Sequence, residues 1–399
     1  MRIAHVVPSL ARSHGGVSTA VRGLALSQKA AGDTVDVYAG YGVDDAAEAP
    51  EVFDHPVNRE RLVVMQYPLQ PTVLGRRLES CPGLADRLGQ NAVSYDLVHI
   101  HSMWNLCVAQ ASKACRARGA PYVVSAHGGL DPWVMRDKRL LRKAYLRLVE
   151  APRLRVAAAV HFATHLEMAL VKGSHLRIRP AVVPLGVEDV FLRSECSRID
   201  ARRRFGIPLG AFVVLQMGRI HPLKGIDLLI KAWSLVEAGH EGLLWIVGPG
   251  KQSHIGHLRH LAKQLGVSQD VRFEGPLYDS FRAPAYRAAD VVTLCSHKEN
   301  FGLSAAEAMA SGVPVLVSDK VNLAPDILQS RCGLICSLTS GAIARALSQL
   351  KSFGQSGREA MGRAGREWAQ THFGWASVAE QTREMYQQAL AGSLSETVF

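Results

Sequence analysis

The sequence predicts an α/β protein of two Rossmann-like, parallel-sheet domains facing a cleft. Three observations predict it. Strand-like and helix-like stretches alternate along both halves of the chain, as successive βαβ units require. Several strand candidates, such as Phe212–Met217, interrupted only by Gln216, and Val313–Val317, are short and almost wholly apolar runs, the pattern of strands buried on both faces. The 399 residues, 48% hydrophobic and 20% charged, suffice for two cores of ordinary size.

In the first half, Ile3–Val7 reads as a strand ended by Pro8, too short for a secretory signal. Ser13-His14-Gly15-Gly16-Val17-Ser18 turns the chain into a helix over Ser18–Ala31, stopped by Gly32. Strand, glycine-rich turn and helix is the layout of a phosphate-binding unit, although Gly15-Gly16 alone also suits a mere tight turn. The turn lacks the Gly-x-Gly-x-x-Gly spacing, which disfavours a dinucleotide site. Val35–Ala39 is the next strand. Over 41–94 only one strand, near Leu62–Gln66, is readable. Asp96–His101 and Tyr122–Ser125 are clear strands, and His101 and His127 lie at their carboxyl ends, where open parallel sheets bind ligands. A lone histidine at such an end is more often a satisfied structural residue, and for His101 the structural and functional readings stay even. Val156–Phe162, a helix over Thr164–Lys172 and a strand within Ala181–Val187 complete a domain over 1–187.

Residues 136–155 hold eight Arg or Lys against Asp137 and Glu150, so +6 of the chain's +11. Leu140, Leu141, Ala144, Tyr145 and Leu148 share one helical face, and Pro152 is expected to end the helix. Either this face packs on the sheet or the helix approaches anionic lipid headgroups or a lipid-phosphate acceptor.

A linker over 188–208, with a short basic helix at Asp200–Phe205, leads to a second domain over 209–375. Its first strand, Phe212–Met217, runs through Gly218-Arg219-Ile220-His221-Pro222-Leu223-Lys224-Gly225 into a helix over Ile226–Ala238. Arg219 can grip a phosphate as a fork and Lys224 adds a point charge. Gly248-Pro249-Gly250-Lys251 follows the strand Leu243–Val247 but lacks the first glycine of a phosphate-binding P-loop. A helix over His254–Leu265, strands at Val271–Glu274 and Val291–Leu294, a strand at Gly333–Cys336 and helices at Ser340–Ser352 and Glu359–Thr371 continue the alternation. The helix Trp375–Leu390 ends the regular structure, and Gly392–Phe399 reads as frayed.

Between the last two central strands lies the most informative stretch, residues 295–319. Glu299 and Glu307 bracket seven residues containing Asn300-Phe301-Gly302-Leu303, a turn that feeds a short helix. Such a helix start favours an anion, and two carboxylates there can accept hydrogen bonds from a sugar or ribose diol. Ser304-x-x-Glu307 also fits a capping box, in which Glu307 only satisfies the helix start. The whole pattern, with Glu307-Ala308-Met309-Ala310 followed by Gly312 and Pro314-Val315, closely resembles the signature of family 4 glycosyltransferases, retaining sugar-nucleotide enzymes of the GT-B fold. Gly218-Arg219, Lys224-Gly225 and Pro184-x-Gly186-Val187 match the same family. In the first domain the resemblance is thinner and rests on Gly15-Gly16, His127-Gly128 and the strand order.

The resemblance implies transfer of a hexosyl group from a nucleoside diphosphate sugar to a saccharide or lipid-linked saccharide, with anomeric retention. It implies that Gly15 and Gly16 lie near the diphosphate and donor sugar, and that Arg219 and Lys224 stabilise the departing diphosphate. Glu307 would hold the ribose, Glu299 the donor sugar and His127 the sugar near its anomeric carbon. Pro276 and Leu277 would flank the base, and the turn Asn300-Phe301-Gly302-Leu303 would line the nucleotide. The helix over 376–390 would pack back on the first domain. The donor would be a UDP-sugar or GDP-sugar, with no cofactor beyond it.

Composition narrows the rivals. Seven cysteines form an odd, scattered set, with Cys332 and Cys336 the only close pair, which suits reduced thiols in the cytoplasm. No zinc spacing and no Asp-x-Asp triplet occurs, so no metal is expected. No run approaches 18 apolar residues, so membrane contact would be peripheral, through 136–155 at the inner face of the cell membrane. The net charge of +11 suits an anionic partner, but it is concentrated in one helix and aromatics are only 7%, which disfavours nucleic acid. A non-catalytic sugar-nucleotide binder and a sugar phosphorylase remain as alternatives.

Overall fold

The computed structural model describes all residues except 12–14, 43–51, 55–60, 73–74, 136–138, 194–195 and 237–241. The chain forms two compact units: Met1–Gly186 with Trp375–Phe399, and Val187–Gly374.

The first unit is built on an eight-stranded sheet. Its strands are β1 (Arg2–Val7), β2 (Thr34–Tyr41), β3 (Val52–Asp54), β4 (Arg61–Pro68), β5 (Leu97–His101), β6 (Tyr122–Ser125), β7 (Ala159–Phe162) and β8 (Pro180–Val182). Their order is β8-β7-β6-β5-β1-β2-β4-β3, parallel except for β3 against β4. The central strands are wholly buried, as their apolar runs demand. Helix α1 (Gly16–Ala30) follows β1 and buries Ala20, Val21, Leu24 and Ala25.

The second unit carries a six-stranded, wholly parallel sheet: β9 (Phe212–Met217), β10 (Gly242–Val247), β11 (Val271–Glu274), β12 (Val291–Leu294), β13 (Val315–Ser318) and β14 (Gly333–Cys336), in the order β11-β10-β9-β12-β13-β14. The order reverses beside β9, so the loops after β9 and β12 leave adjacent strand ends in opposite directions. Helices α2 (Ile226–Trp233) and α3 (Leu303–Ala310) follow those two strands. Behind them Asp290, wholly buried, is held by Arg198, Arg202 and Arg358 and accepts from the Val213 amide.

Helix α4 (Trp375–Leu390) returns to the first unit. Its first residue fills a slot that only glycine permits. A Cβ on Gly23 would lie 2.2 Å from the Trp375 ring, and one on Gly186 2.3 Å from it. The tail is not frayed: Thr397–Val398 pairs antiparallel with Arg177–Ile178, and Phe399 packs on the core. The two flanking amide bonds, His175 N–H to the Phe399 carbonyl and Phe399 N–H to that of Leu176, explain the order.

Other expectations are corrected. The stretch 41–94 holds more structure than one strand: β3, a hairpin of Gln70–Thr72 with Gly75–Ser80, and a helix at Pro82–Asn91. The basic helix does not stop at Pro152. An α-helix at Arg139–Tyr145 widens to a π turn at Leu146–Glu150 and continues over Ala151–Arg155. The wide turn re-registers the hydrogen bonds just where the proline lacks a donor. Nor is its apolar face packed on the sheet. Leu140, Leu141 and Leu148 are 85%, 54% and 74% exposed. The helix is anchored instead by Tyr145 and Arg142 against the Trp104 ring, and by the buried pair of Glu150 and Arg153. Residues 136–138 of the basic stretch lie outside the described residues, as do Ser13 and His14.

Candidate functional site

The second unit brings most of the singled-out residues to the carboxyl ends of β9, β10 and β12. Backbone packing comes first. The Gly218 amide donates to Val247 and the Ile220 amide to Pro249, so the loops after β9 and β10 run side by side. A Cβ on Gly248 would sit 2.0 Å from the Gly218 carbonyl oxygen, an approach closed to any side chain. Gly225, at φ 60°, would put a Cβ 2.2 Å from the Cys295 carbonyl oxygen, and the His297 amide donates to Leu223. The loops after β9 and β12 therefore interlock through their backbones.

On this frame the cations gather. Arg219 is exposed. Lys224 reaches Glu299 in an ion pair, and Ser296 Oγ lies 3.5 Å from the same carboxylate. His221 reports the field: burial pulls its pKa down, and Arg219, His254, Lys224 and Lys251 push it further the same way. Helix α2 begins at this point with no side-chain cap, so its dipole adds to the positive potential. The arrangement can hold a dianionic phosphate group.

Helix α3 overturns the capping box. Its N-cap is Gly302, in the left-handed region at φ 102°, and no side chain caps it. Glu307 is instead nearly buried within the unit. Its Oε1 accepts from Arg282, and its Oε2 accepts from the Tyr286 hydroxyl at 2.6 Å. Burial opposes the charge on Arg282, but Glu307 outweighs it and the guanidinium pKa rises. Burial and then Glu307 drive the Tyr286 pKa well above its usual value. Each carboxylate oxygen keeps a further lone pair for a diol. Phe301 is buried edge-on to Phe373 at 5.5 Å, so it offers a ligand backbone rather than ring. Asn300 and Leu303 are half-buried beside it, Pro276 is exposed and Leu277 half-buried after β11.

In the first unit, Gly15 (φ 68°, ψ −132°) and Gly16 are exposed, with open space where a Cβ would stand. His127, at φ 45°, follows β6 and is half-buried. Buried Glu167 fixes the loop by accepting from the Gly128 and Ala163 amides, both at 2.6 Å. His127 touches His101, and the strand middles add buried His5, His99 and His161. Sequence reasoning picked out only His101 and His127. The missed signal was alternation: His99 and His101 share a face of β5, and His5 stands opposite His99 in register. His5, His99 and His101 bring ring nitrogens within 4.8 Å of one another, but those nitrogens are engaged in hydrogen bonds. Arg282, Tyr286 and Glu167 were also missed. All seven cysteines are free thiols.

Comparison with known proteins gives the family. The profile described as "Glycosyl transferases group 1" matches residues 197–368, and that described as "Glycosyl transferase 4-like domain" matches 15–186. The chain belongs to this family 4 type of glycosyltransferase, with the GT-B pairing of domains. Among curated relatives, the D-inositol 3-phosphate glycosyltransferase of Corynebacterium glutamicum (strain R) is 38% identical over 197 residues, 48% of this chain and 47% of the relative. That of Kineococcus radiotolerans is 34% identical over 232 residues, 54% and 53%. Such matches span about half the length of the curated relatives. Among solved structures, the fold is shared with sucrose-phosphate synthase from Thermosynechococcus elongatus (TM-score 0.74, 22% identity, 98% of this chain and 100% of that one). It is shared too with Anabaena HepE in complex with UDP-glucose (TM-score 0.75, 20% identity, 97% and 100%). Among the described residues no helix is long and apolar enough to cross a membrane.

Proposed function

We propose that the chain transfers a hexosyl group from a UDP-sugar or GDP-sugar to a saccharide or lipid-linked saccharide, retaining the anomeric configuration and using no metal ion. The carrying observation is the cationic loop pair: Arg219, Lys224 and Lys251 crowd His221 at the uncapped start of α2. Charge of this kind, aimed at a departing diphosphate, supplies what a divalent cation supplies elsewhere. Lys224 exchanges part of its pairing with Glu299 for phosphate, which frees that carboxylate for a sugar hydroxyl. Glu307 takes the ribose, Pro276 and Leu277 flank the base, and Asn300, Phe301, Gly302 and Leu303 line the nucleotide. From the first unit, Gly15, Gly16 and His127 are assigned to diphosphate and sugar. The acceptor hydroxyl attacks on the face the nucleotide leaves. The C–O bond to phosphate breaks as the new glycosidic bond forms, and the freed phosphate oxygen takes the hydroxyl proton.

The name of the Corynebacterium relative adds a phosphorylated polyol to the acceptor candidates. The exposed Leu140, Leu141 and Leu148 beside Lys143 and Arg147 support a peripheral seat on anionic membrane, with the acceptor held there. The test is a turnover and binding screen of UDP-sugars and GDP-sugars, with and without chelator. Binding without turnover on any acceptor would favour the non-catalytic reading. Turnover that requires free phosphate would favour a phosphorylase, and loss of turnover in chelator would refute the metal-free mechanism.

A further inference from the structure

Eight side chains form one unbroken hydrogen-bonded chain inside the first unit. His127 Nε2 meets His101 Nδ1 at 3.2 Å, and His101 Nε2 meets His5 Nδ1 at 2.9 Å. His5 Nε2 meets Gln28 Oε1 at 2.7 Å, and Gln28 Nε2 meets the Tyr386 hydroxyl at 3.3 Å. That hydroxyl meets His99 Nδ1 at 2.6 Å, and His99 Nε2 meets Ser125 Oγ at 2.6 Å. Ser125 Oγ meets His161 Nδ1 at 2.6 Å, and His161 Nε2 meets the Val183 carbonyl at 2.8 Å. All are buried except His127, which is half-buried at the end of β6.

The two ends differ in kind. A carbonyl only accepts, so His161 must carry its proton on Nε2. Burial holds all five imidazoles neutral, lowering the pKa of each. A neutral ring with Nε2–H has a bare Nδ1, so Ser125 must donate to it. Ser125 has one proton, so it accepts from His99 Nε2–H, and His99 Nδ1 is bare in turn. Tyr386 then donates to His99 and accepts from the Gln28 amide. Gln28 Oε1 accepts from His5 Nε2–H, His101 Nε2–H donates to His5, and His127 Nε2–H donates to His101. Every step is forced by the one before it. No proton can leave at Val183, so the chain orients and does not conduct.

We propose that this chain fixes the half-buried His127 as a hydrogen-bond acceptor, presenting a bare Nδ1 to a hydroxyl of the bound sugar, with Tyr386 and Gln28 as remote positioning residues. The identity of the hydroxyl rests on the glycosyltransferase reading; the tautomer does not. His127 therefore orients a hydroxyl and has no proton to give at Nδ1.

The test is 15N NMR of the histidine-labelled full chain at pH 7. All five rings are expected neutral with the proton on Nε2; a proton on His127 Nδ1, or an imidazolium there, overturns the proposal. Tyr386→Phe, or Gln28→Met if the first variant does not fold, cuts the link between the carbonyl anchor and His127. His161 should keep its tautomer while His127 gains an Nδ1–H population. Affinity for UDP-glucose relative to UDP should fall about tenfold, one hydrogen bond's worth, with UDP itself bound as before. An unchanged His127 tautomer, or an unchanged ratio beside an altered tautomer, overturns the positioning role. A parent chain that binds neither probe refutes the ligand, and with it the nucleotide-sugar reading, whatever the tautomers are.

Discussion

Replacing Glu307 by glutamine separates a helix cap from a charged anchor. In a capping box, glutamine serves as well as glutamate, and stability would be kept. In this structure the carboxylate is nearly buried between two donors, the Arg282 guanidinium and the Tyr286 hydroxyl at 2.6 Å. Glutamine retains one carbonyl oxygen but places an NH2 against the other donor. A charge-assisted bond is worth roughly 1.5–3 kcal/mol, and breaking a fully buried pair costs about 3–5 kcal/mol. Arg282 keeps 24% of its side chain in solvent and has Glu188 at 3.7 Å as a second partner, so the lower range applies. The expected loss is about 2–3 kcal/mol, which for a unit of this size lowers Tm by roughly 4–12 °C. Thermal and urea melts of parent, Glu307→Gln and Glu307→Ala read it, and calorimetry with UDP and GDP reads the nucleotide. Affinity should fall in both variants if the carboxylate also holds the ribose. A glutamine variant as stable as the parent would refute the anchoring argument, and undiminished nucleotide affinity would refute the ribose assignment.

Arg219→Ala and Lys224→Ala should each cost roughly 2–4 kcal/mol in the transition state, about 10²–10³-fold in turnover, measured by product formation at saturating donor; near-normal rates in folded variants would remove the diphosphate from this loop. Vesicles with acidic lipid should float the parent at low salt and release it at high salt, whereas Leu140→Ser/Leu148→Ser/Arg147→Glu should stay behind; equal flotation would leave the helix as plain solvated surface. Acid should destabilise the first unit early. His5 is lowered to about 4 in the fold and titrates near 6.5 when unfolded, so the unfolded chain binds the proton first. Stability is full above about pH 6.5 and is lost toward pH 4, by about 1.4 kcal/mol per pH unit for each such histidine. Urea midpoints across that range check the slope, and a flat profile would mean the rings are not buried neutral.

The sequence was most legible where burial leaves the least choice. Strands β9, β11, β12 and β14 and helices Ser340–Ser352 and α4 coincide end to end with their sequence readings: β9, β12 and β14 are mostly apolar runs, β11 alternates apolar Val271 and Phe273 with Arg272 and Glu274, and the two helices carry a clean apolar stripe. The stretch 41–94 was not legible. Its strands are three to eight residues long with arginine and proline among them, and its helix begins on Pro82 and buries only Leu84 and Leu88. The basic helix misled for another reason. Amphipathic spacing says that one face is apolar but not what covers it, and here Trp104 takes the neighbouring face while the leucines face out. In the candidate site, the loops showed themselves through glycine and cation spacing. The partners of Glu307 did not, because Arg282 and Tyr286 lie on a separate helix joined to it only by the fold.

The glycine-lined slot for Trp375 has a consequence for synthesis. Gly23 and Gly186 both close on a residue that leaves the ribosome only after the whole second unit has been made. Domains emerging from the ribosome tend to fold in order, amino end first. Here the unit begun first must wait, its Trp375 slot open and its apolar strip along Ala20 and Leu24 uncovered, while the later unit can already settle. During that interval the residues that Trp375 and its helix cover in the finished fold lack their partner. A stalled or prematurely ended chain would carry an incomplete amino-terminal half beside a finished carboxyl-terminal one.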